Sequence, residues 1–318
     1  MSIITSKLGS DLRRSRNSVL LLIICCCLFA TNATAQNSKI ALPVVSDEVF
    51  SAISRFYDYD KNIPLEARIV HQEELPEGKR EKIVFRGCRQ NLVPAYLVLP
   101  KTNADKHPVI LIADGIYGSK ERWFQDDSWP KGGLITKAFL KAGFAVMILD
   151  AVYHGERSCE NGYSNPPWLF TYPNTARQMI MQTTVEYRLA IDYLTSRNDI
   201  DTSRIGMLGL SMGGLISFEL TAVDDRVKTA VTGVTPIIRE TEYQAVTPST
   251  FASRNKCQSF LMFMGEQDHF YTMEEANLLY DMIPTTNKKI VSYKSGHEPP
   301  IKYVDMATNW FKKNLLSE

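Results

Sequence analysis

The chain has 318 residues, of which 44% are hydrophobic and 22% are charged, so it is long enough to bury one large globular core. Its formal net charge at pH 7 is +1 for the whole sequence and −2 for residues 36–318, which argues against nucleic acid as a partner. The sequence contains no internal period of about 20 to 50 residues, which argues against a repeat architecture.

The first 35 residues have the pattern of a secretory signal peptide. Four basic residues precede an apolar run at 19–30, and Ala33-Thr34-Ala35 then matches the small-x-small pattern of a cleavage site. The run is 12 residues long, whereas a membrane span needs about 20, so a cleaved signal is favoured over an uncleaved anchor. We expect cleavage before Gln36 and export of residues 36–318 to the periplasm or the medium. Cleavage would lower the formal net charge from +1 to −2.

Three cysteines, Cys88, Cys159 and Cys257, remain in the expected mature chain, and none forms a C-x-x-C motif. This sparse set disfavours a structural zinc site and a disulfide framework. One bridge with one free thiol stays open, and the sequence does not identify the pair. We expect neither a metal nor an organic cofactor.

The mature chain begins with an expected helix around residues 47–57, followed by three strand-like runs at 67–74, 82–88 and 93–99. Turn residues separate the runs, at Pro76-Glu77-Gly78 and at Gln90-Asn91. This arrangement is typical of an antiparallel meander at the start of a sheet.

From residue 108 onward, short apolar strands alternate with helices. The expected strands are 109–113, 144–149, 205–208, 227–231, 260–264 and 289–293. The expected helices are 134–142, 176–197, 214–220, 272–282 and 301–315. Strands this apolar predict a mostly parallel sheet covered on both faces, and thus a doubly wound α/β fold with antiparallel N-terminal strands.

Two connections, at about 157–175 and 236–256, are longer than the loops such a sheet usually has. The first contains Trp168, Phe170 and Tyr172, which we expect to line a substrate pocket beneath a lid. The alternative interpretation is a surface loop that is packed down by its own aromatic side chains.

A G-x-S-x-G motif, Gly209-Leu210-Ser211-Met212-Gly213, lies between an apolar strand and a helix. This context favours a nucleophile elbow, in which glycines allow a sharp turn that projects the serine hydroxyl. The alternative is an ordinary strand-to-helix turn with Ser211 as the N-cap.

A serine nucleophile needs an imidazole to accept its proton and a carboxylate to orient that imidazole. Asp268 follows the strand at 260–264, and His297 follows the strand at 289–293. The order Ser, Asp, His, with each residue just beyond a strand, predicts the triad Ser211, Asp268 and His297.

With these motifs, the chain from about residue 82 to the end resembles the α/β-hydrolase superfamily, and within it the serine esterases similar to dienelactone hydrolase and acetyl xylan esterase. The matching stretches are 93–100, 108–118, 150–158, 204–214, 265–268 and 296–297. The resemblance implies that Ser211 is the nucleophile, His297 the general base and acid, and Asp268 its orienting partner. Dienelactone hydrolases proper carry a cysteine nucleophile, so their substrate is not carried over.

The tetrahedral intermediate of acyl transfer also needs two hydrogen-bond donors for its oxyanion. We predict the amide of Met212, which directly follows the nucleophile, and the amide of Ile116 in the loop after the strand at 109–113. Asp114 in that loop is an alternative acid that we consider weaker than Asp268. His154 fits a structural turn, and His269 is expected to point away from the site.

The predicted function is a serine hydrolase that cleaves a carboxylic ester of a small molecule through an acyl-enzyme. It is expected to have no nucleic-acid partner and no stable membrane insertion after signal cleavage. One alternative is a serine peptidase of the same fold, although the prolyl oligopeptidase type carries a large N-terminal propeller for which this chain lacks room. The other is a binding protein on the same scaffold.

Overall fold

The computed structural model describes residues 40–160 and 171–316. The predicted signal peptide, residues 1–35, lies outside the described residues, as do Trp168 and Phe170. None of the helices described is both long and apolar enough to cross a membrane.

The described residues form nine strands and seven α-helices of at least five residues. The strands are β1 (Arg68–Leu75), β2 (Gly78–Arg86), β3 (Leu92–Pro100), β4 (His107–Ala113), β5 (Ala145–Leu149), β6 (Ile200–Leu210), β7 (Val227–Gly233), β8 (Ser259–Gly265) and β9 (Lys288–Tyr293). The helices are α1 (Asp47–Ser54), α2 (Gly132–Lys141), α3 (Pro173–Thr195), α4 (Met212–Val223), α5 (Pro248–Ala252), α6 (Met273–Met282) and α7 (Tyr303–Phe311).

All nine strands belong to one sheet with the order β1-β2-β3-β5-β4-β6-β7-β8-β9. Strands β1, β2 and β3 pair antiparallel, and β3 also pairs antiparallel with β5. Every pairing from β5 through β4 to β9 is parallel. The predicted α/β fold, a mostly parallel sheet with antiparallel N-terminal strands, is therefore confirmed.

The sheet is buried on both faces, as β4 shows most clearly. Val109, Leu111 and Ala113 face one core cluster, with helices α1, α3, α4, α5 and α6, while Ile110 and Ile112 face the other, with α2 and α7. Because successive strand residues point to opposite faces, a strand without polar residues needs a helix layer on each side. This is the reason that the apolar runs predicted a doubly wound sheet.

Several element boundaries differ from the sequence prediction. Strand β6 begins at Ile200, five residues earlier than predicted, because Ile200 pairs with His107 at the start of β4. Helix α7 begins at Tyr303 and continues after Phe311 as a π-helical turn, Lys312–Leu316. Its predicted start at residue 301 was two residues too early, because residues 301–302 form a turn in which the Tyr303 amide donates to the Pro300 carbonyl. Thr272 and Glu275 form a capping box at the start of α6.

The thiols of Cys88, Cys159 and Cys257 are free in the described structure. Cys257 is buried, and desolvation raises its pKa well above the ordinary range. Burial likewise raises the pKa of Cys88 to about 12. Both thiols are therefore protonated at neutral pH and are poor nucleophiles.

A buried lysine joins the loop after β4 to the loop after β5. The Lys120 ammonium lies 2.7 Å from Asp150 Oδ2 and also contacts Glu121 and Glu156. The side chains of Lys120 and Asp150 are both fully buried. Desolvation would lower the pKa of Lys120, but these carboxylates raise it, so the ammonium stays charged. The ion pair fixes the two loops that flank the C-terminal edge of β4.

We predict that Lys120→Met lowers the free energy of unfolding by about 3 to 5 kcal/mol, because it leaves the Asp150 carboxylate buried without a counter-ion. Urea unfolding measures this change. The control is Lys137→Met, since Lys137 pairs with Asp126 at 2.8 Å but both side chains are more than 40% exposed. That variant should lose no more than about 1 kcal/mol. Equal losses in the two variants would contradict the role assigned to Lys120.

Candidate active site

Ser211 stands between β6 and α4 in a strained backbone conformation, with φ of 55° and ψ of −117°. A non-glycine residue with positive φ of this kind persists only where its surroundings hold it. The Ser211 amide donates to the Gly233 carbonyl at 2.9 Å, which ties the turn to the end of β7. Ser211 occupies the N-cap position of α4, but its hydroxyl makes no capping hydrogen bond, which favours the elbow interpretation.

The glycines of the motif are required by close backbone contacts. A Cβ on Gly209 would lie 2.0 Å from the Gly213 carbonyl oxygen, and a Cβ on Gly213 would lie 2.0 Å from the Ala113 carbonyl oxygen. Both distances are far below van der Waals contact. The turn can therefore close against β4 only if these two positions lack side chains.

The three predicted triad residues meet at the C-terminal edge of the parallel strands. His297 Nε2 lies 2.8 Å from Ser211 Oγ, and His297 Nδ1 lies 2.8 Å from Asp268 Oδ2. Both distances are those of normal hydrogen bonds. Ser211 is 6% exposed, the Asp268 side chain is fully buried and the His297 side chain is 19% exposed, so the chain of hydrogen bonds runs from the buried acid to a partly open imidazole.

The charge state of Asp268 sets the tautomer of His297. Desolvation would raise the pKa of Asp268, but hydrogen bonds from His297 and from the Phe270 amide outweigh it and lower the pKa. The carboxylate is therefore ionised at neutral pH and accepts the Nδ1 proton. His297 Nε2 is then left with a lone pair, which accepts the proton of the Ser211 hydroxyl.

Two backbone amides stand next to Ser211 without a hydrogen-bond acceptor among the described residues. Met212 is the first residue of α4, and Ile116 lies in the loop after β4. The intervening Gly115 amide is already used, because it donates to Asp114 Oδ1 at 2.7 Å. A Cβ on Gly115 would lie 3.2 Å from Ser211 Cβ, so the loop passes directly beside the nucleophile. This arrangement is the one an oxyanion hole requires.

The rival acid Asp114 does not reach His297. Its Oδ1 accepts from Gly115, and its Oδ2 lies 3.8 Å from the Arg122 guanidinium. Desolvation raises the pKa of Asp114 to about 6, with Arg122 opposing that shift. Asp114 therefore shapes the loop that carries Ile116.

The rival histidines also lie outside the hydrogen-bonded chain. His154 is buried, and its Nδ1 lies 2.8 Å from the Val152 carbonyl oxygen. Burial lowers its pKa to about 4, so it is neutral and structural, as predicted. His269 is exposed, and its ring contacts that of Phe270 at a tilt of 39°, with centroids 4.1 Å apart. We expected His269 to point away from the site, but this was wrong. His269 lines the cavity, and its ring centroid lies 5.9 Å from that of His297.

Trp129 holds the backbone and the ring of His297, a role that no local sequence pattern indicates. Its Nε1 donates to the His297 carbonyl oxygen at 3.0 Å, and its ring stacks on His297 at a centroid distance of 5.9 Å. The two residues after Trp129 strengthen the contact. The Pro130 carbonyl accepts a hydrogen bond from Tyr303, and Lys131 pairs with Glu298 at 3.2 Å. The nearby Trp123 is fully buried in the core.

A cavity of about 580 Å³ opens over Ser211 and His297. Pro236, Ile237 and Ile238 line it, so the second predicted lid segment does reach the site. Tyr172, from the first segment, directly precedes α3, is 42% exposed and is not among the residues that line the cavity.

The carboxylates of Glu121, Asp150 and Glu156 come within 4.8 Å of one another, a spacing that could hold a metal ion. The Lys120 ammonium contacts all three carboxylates. A cation is therefore already supplied by the chain, and the described residues explain this cluster as an ion-pair network.

A family comparison agrees with the geometry of the elbow and the triad. Residues 93–298 match the model of the dienelactone hydrolase family. The chain belongs to the dienelactone hydrolase family. The match begins in β3 and ends directly after His297, so it includes the elbow, both amide donors and all three triad positions.

Solved structures with the same fold include two acetyl xylan esterases, each 18% identical to this chain. Acetyl xylan esterase 1 from Thermoanaerobacterium sp. JW/SL YS485 superposes with a TM-score of 0.68 over 85% of this chain and 94% of that one. The enzyme from Paenibacillus sp. R4 gives a TM-score of 0.70 over 87% and 97%. At this identity the likeness shows a shared α/β-hydrolase fold.

Two curated relatives are each 26% identical to this chain. The Bacillus subtilis protein YtaP matches over 172 residues, which are 53% of this chain and 56% of YtaP. The Pseudomonas aeruginosa protein PA2218 matches over 176 residues, which are 55% of this chain and 39% of PA2218. The chain thus spans about half or less of the length of these relatives.

We predict that the two histidines beside Ser211 differ sharply in function. His297→Ala should slow the labelling of Ser211 by a fluorophosphonate roughly 100- to 10,000-fold, because it removes the proton acceptor. His269→Ala should leave the rate close to that of the wild type, because His269 makes no hydrogen bond to Ser211 or Asp268. Labelling rates followed by intact mass measure both effects. Similar losses in the two variants would contradict the assignment.

Proposed function

We propose that this protein is a serine esterase that cleaves carboxylic esters through an acyl-enzyme. The observation that carries the proposal is the unbroken hydrogen-bonded chain from Asp268 through His297 to Ser211, with both bonds at 2.8 Å. Membership of the dienelactone hydrolase family supports a hydrolase. The substrate is a small molecule that enters the cavity above Ser211.

In the first half of the reaction, Ser211 Oγ attacks the ester carbonyl carbon while its proton passes to His297 Nε2. The carbonyl oxygen becomes an oxyanion, which the amides of Met212 and Ile116 stabilise. The C–O bond to the alcohol then breaks, and the imidazolium of His297 donates its proton to the leaving oxygen. The products are a free alcohol and an acyl group bound to Ser211.

In the second half, water takes the place that the alcohol has left. His297 Nε2 accepts a proton from this water, and the oxygen attacks the acyl carbon through a second oxyanion in the same hole. Collapse of that intermediate returns the proton to Ser211 Oγ and releases the carboxylic acid. Asp268 keeps the imidazole in one orientation throughout and stabilises its protonated form.

Ser211→Ala should lower kcat for a short p-nitrophenyl ester at least about 1,000-fold, since the acyl acceptor is lost. Acid quenching of the wild type during turnover should give an adduct with the mass of the acyl group, and the variant should give none. Ser253→Ala, at an exposed serine, is the control and should behave as wild type. Hydrolysis of the ester by the Ser211→Ala variant at the wild-type rate would contradict the proposal. If the wild type cleaves p-nitroanilides as fast as p-nitrophenyl esters, the result would favour a peptidase.

We also propose that the enzyme is exported, because basic residues, an apolar run of 12 residues and Ala33-Thr34-Ala35 succeed one another at its N-terminus. Expression of all 318 residues in a Gram-negative host should give a periplasmic or extracellular protein whose N-terminal residue is Gln36. A cytoplasmic protein that retains residues 1–35 would contradict this proposal.

A further inference from the structure

We infer that the site is built for esters of apolar acids of medium chain length, with the acyl chain lying along an aliphatic wall of the cavity. This inference rests on the proposed esterase function and specifies its substrate class.

The wall consists of aliphatic side chains that come from three separate parts of the chain. They are Met179 and Ile180 of α3, Leu215 of α4, and Ile237 and Ile238 of the segment after β7. Each is at most 5% exposed. Since their positions are fixed by the core beneath them, they offer a rigid apolar surface to a chain that is bound to Ser211.

The polar side chains lie elsewhere in the cavity. Among the described residues that line it, Tyr117, Arg239, Glu240 and His269 are exposed and therefore lie at its mouth. Arg122 is less exposed, but its guanidinium lies 5.9 Å from the Trp129 ring centroid and therefore on the side of Trp129. Arg239 is already bound by Glu275 through two hydrogen bonds. A sugar placed against the aliphatic wall would bury hydroxyl groups without partners, which is unfavourable, whereas an alkyl chain would be stabilised there.

The position of His297 decides which part of the ester contacts the wall. The leaving oxygen must lie within hydrogen-bond reach of His297 Nε2 to receive its proton. The rings around His297 are those of Trp129, Phe270 and His269, with centroids at 5.9 Å, 4.6 Å and 5.9 Å from the imidazole. The alcohol therefore leaves along this aromatic side, and the acyl substituent occupies the aliphatic side.

The cavity is larger than an acetyl group can fill. Its volume of about 580 Å³ lies within the range of pockets that enclose drug-sized ligands. An acetyl group would leave most of the aliphatic wall in contact with water, whereas a chain of six to eight carbon atoms would cover it. Each added methylene should therefore lower the free energy of the bound transition state until the wall is covered.

A series of p-nitrophenyl esters from acetate to decanoate tests this inference, because the leaving group stays constant. We expect kcat/KM to rise about fourfold for each added methylene up to hexanoate or octanoate and then to level off or fall. An optimum at acetate, or a flat series, would overturn the inference and leave the proposed function intact. If no ester of the series is cleaved in a Ser211-dependent manner, the proposed function itself fails.

A variant pair then locates the acyl chain. Ile180→Phe fills part of the cavity and should lower kcat/KM for hexanoate relative to acetate by roughly tenfold or more. Leu189→Phe is the matched control, because Leu189 lies on the same helix, is 6% exposed and does not line the cavity. Equal hexanoate-to-acetate ratios in both variants would overturn the placement. If Ile180→Phe does not fold, the wild-type series still decides the substrate class.

Discussion

The strained backbone of Ser211 is the constraint on which the rest of the site depends. A conformation of this kind costs about 1 to 3 kcal/mol and must be held by its surroundings. Two contacts hold this conformation. The Ser211 amide donates a hydrogen bond to the Gly233 carbonyl, and the backbone of Gly213 closely approaches that of Ala113. Because β6 lies between β4 and β7, both neighbouring strands constrain the same turn. The hydroxyl therefore projects above the sheet edge instead of capping α4.

The parallel sheet brings together groups that are far apart in the sequence. Ile116, Ser211, Asp268 and His297 follow β4, β6, β8 and β9, and the C-terminal ends of parallel strands share one edge. Two further contacts fix the loops that carry these groups. Lys120 joins the loops after β4 and β5, and Trp129 holds the backbone of His297. The site is thus held in place before a substrate binds.

The sequence contained enough to predict the sheet, the elbow and the hydrogen-bonded triad, because each depends on a local pattern. Apolar runs mark buried strands, glycines mark the elbow, and Asp268 and His297 stand directly after strands. Lys120 and Trp129 were missed because their roles depend on partners 30 and 168 residues away in the sequence. The lining of the cavity was missed for the same reason. The aromatic residues of the loop at 157–175 led to the prediction that Tyr172 lines the cavity. The cavity wall comes instead from helix faces and from the segment after β7. In the sequence, the side chains of that wall cannot be told from ordinary core residues.

The central claim is that Ser211, its triad partners and two backbone amides form one preorganised site for acyl transfer. A crystal structure of the protein after reaction with a fluorophosphonate tests it most directly. The account predicts phosphorus bonded to Ser211 Oγ, with the phosphoryl oxygen about 3 Å from the amide nitrogens of both Met212 and Ile116. His297 should remain hydrogen-bonded to Asp268. A phosphoryl oxygen that points to solvent, or an adduct on another residue, would contradict the account.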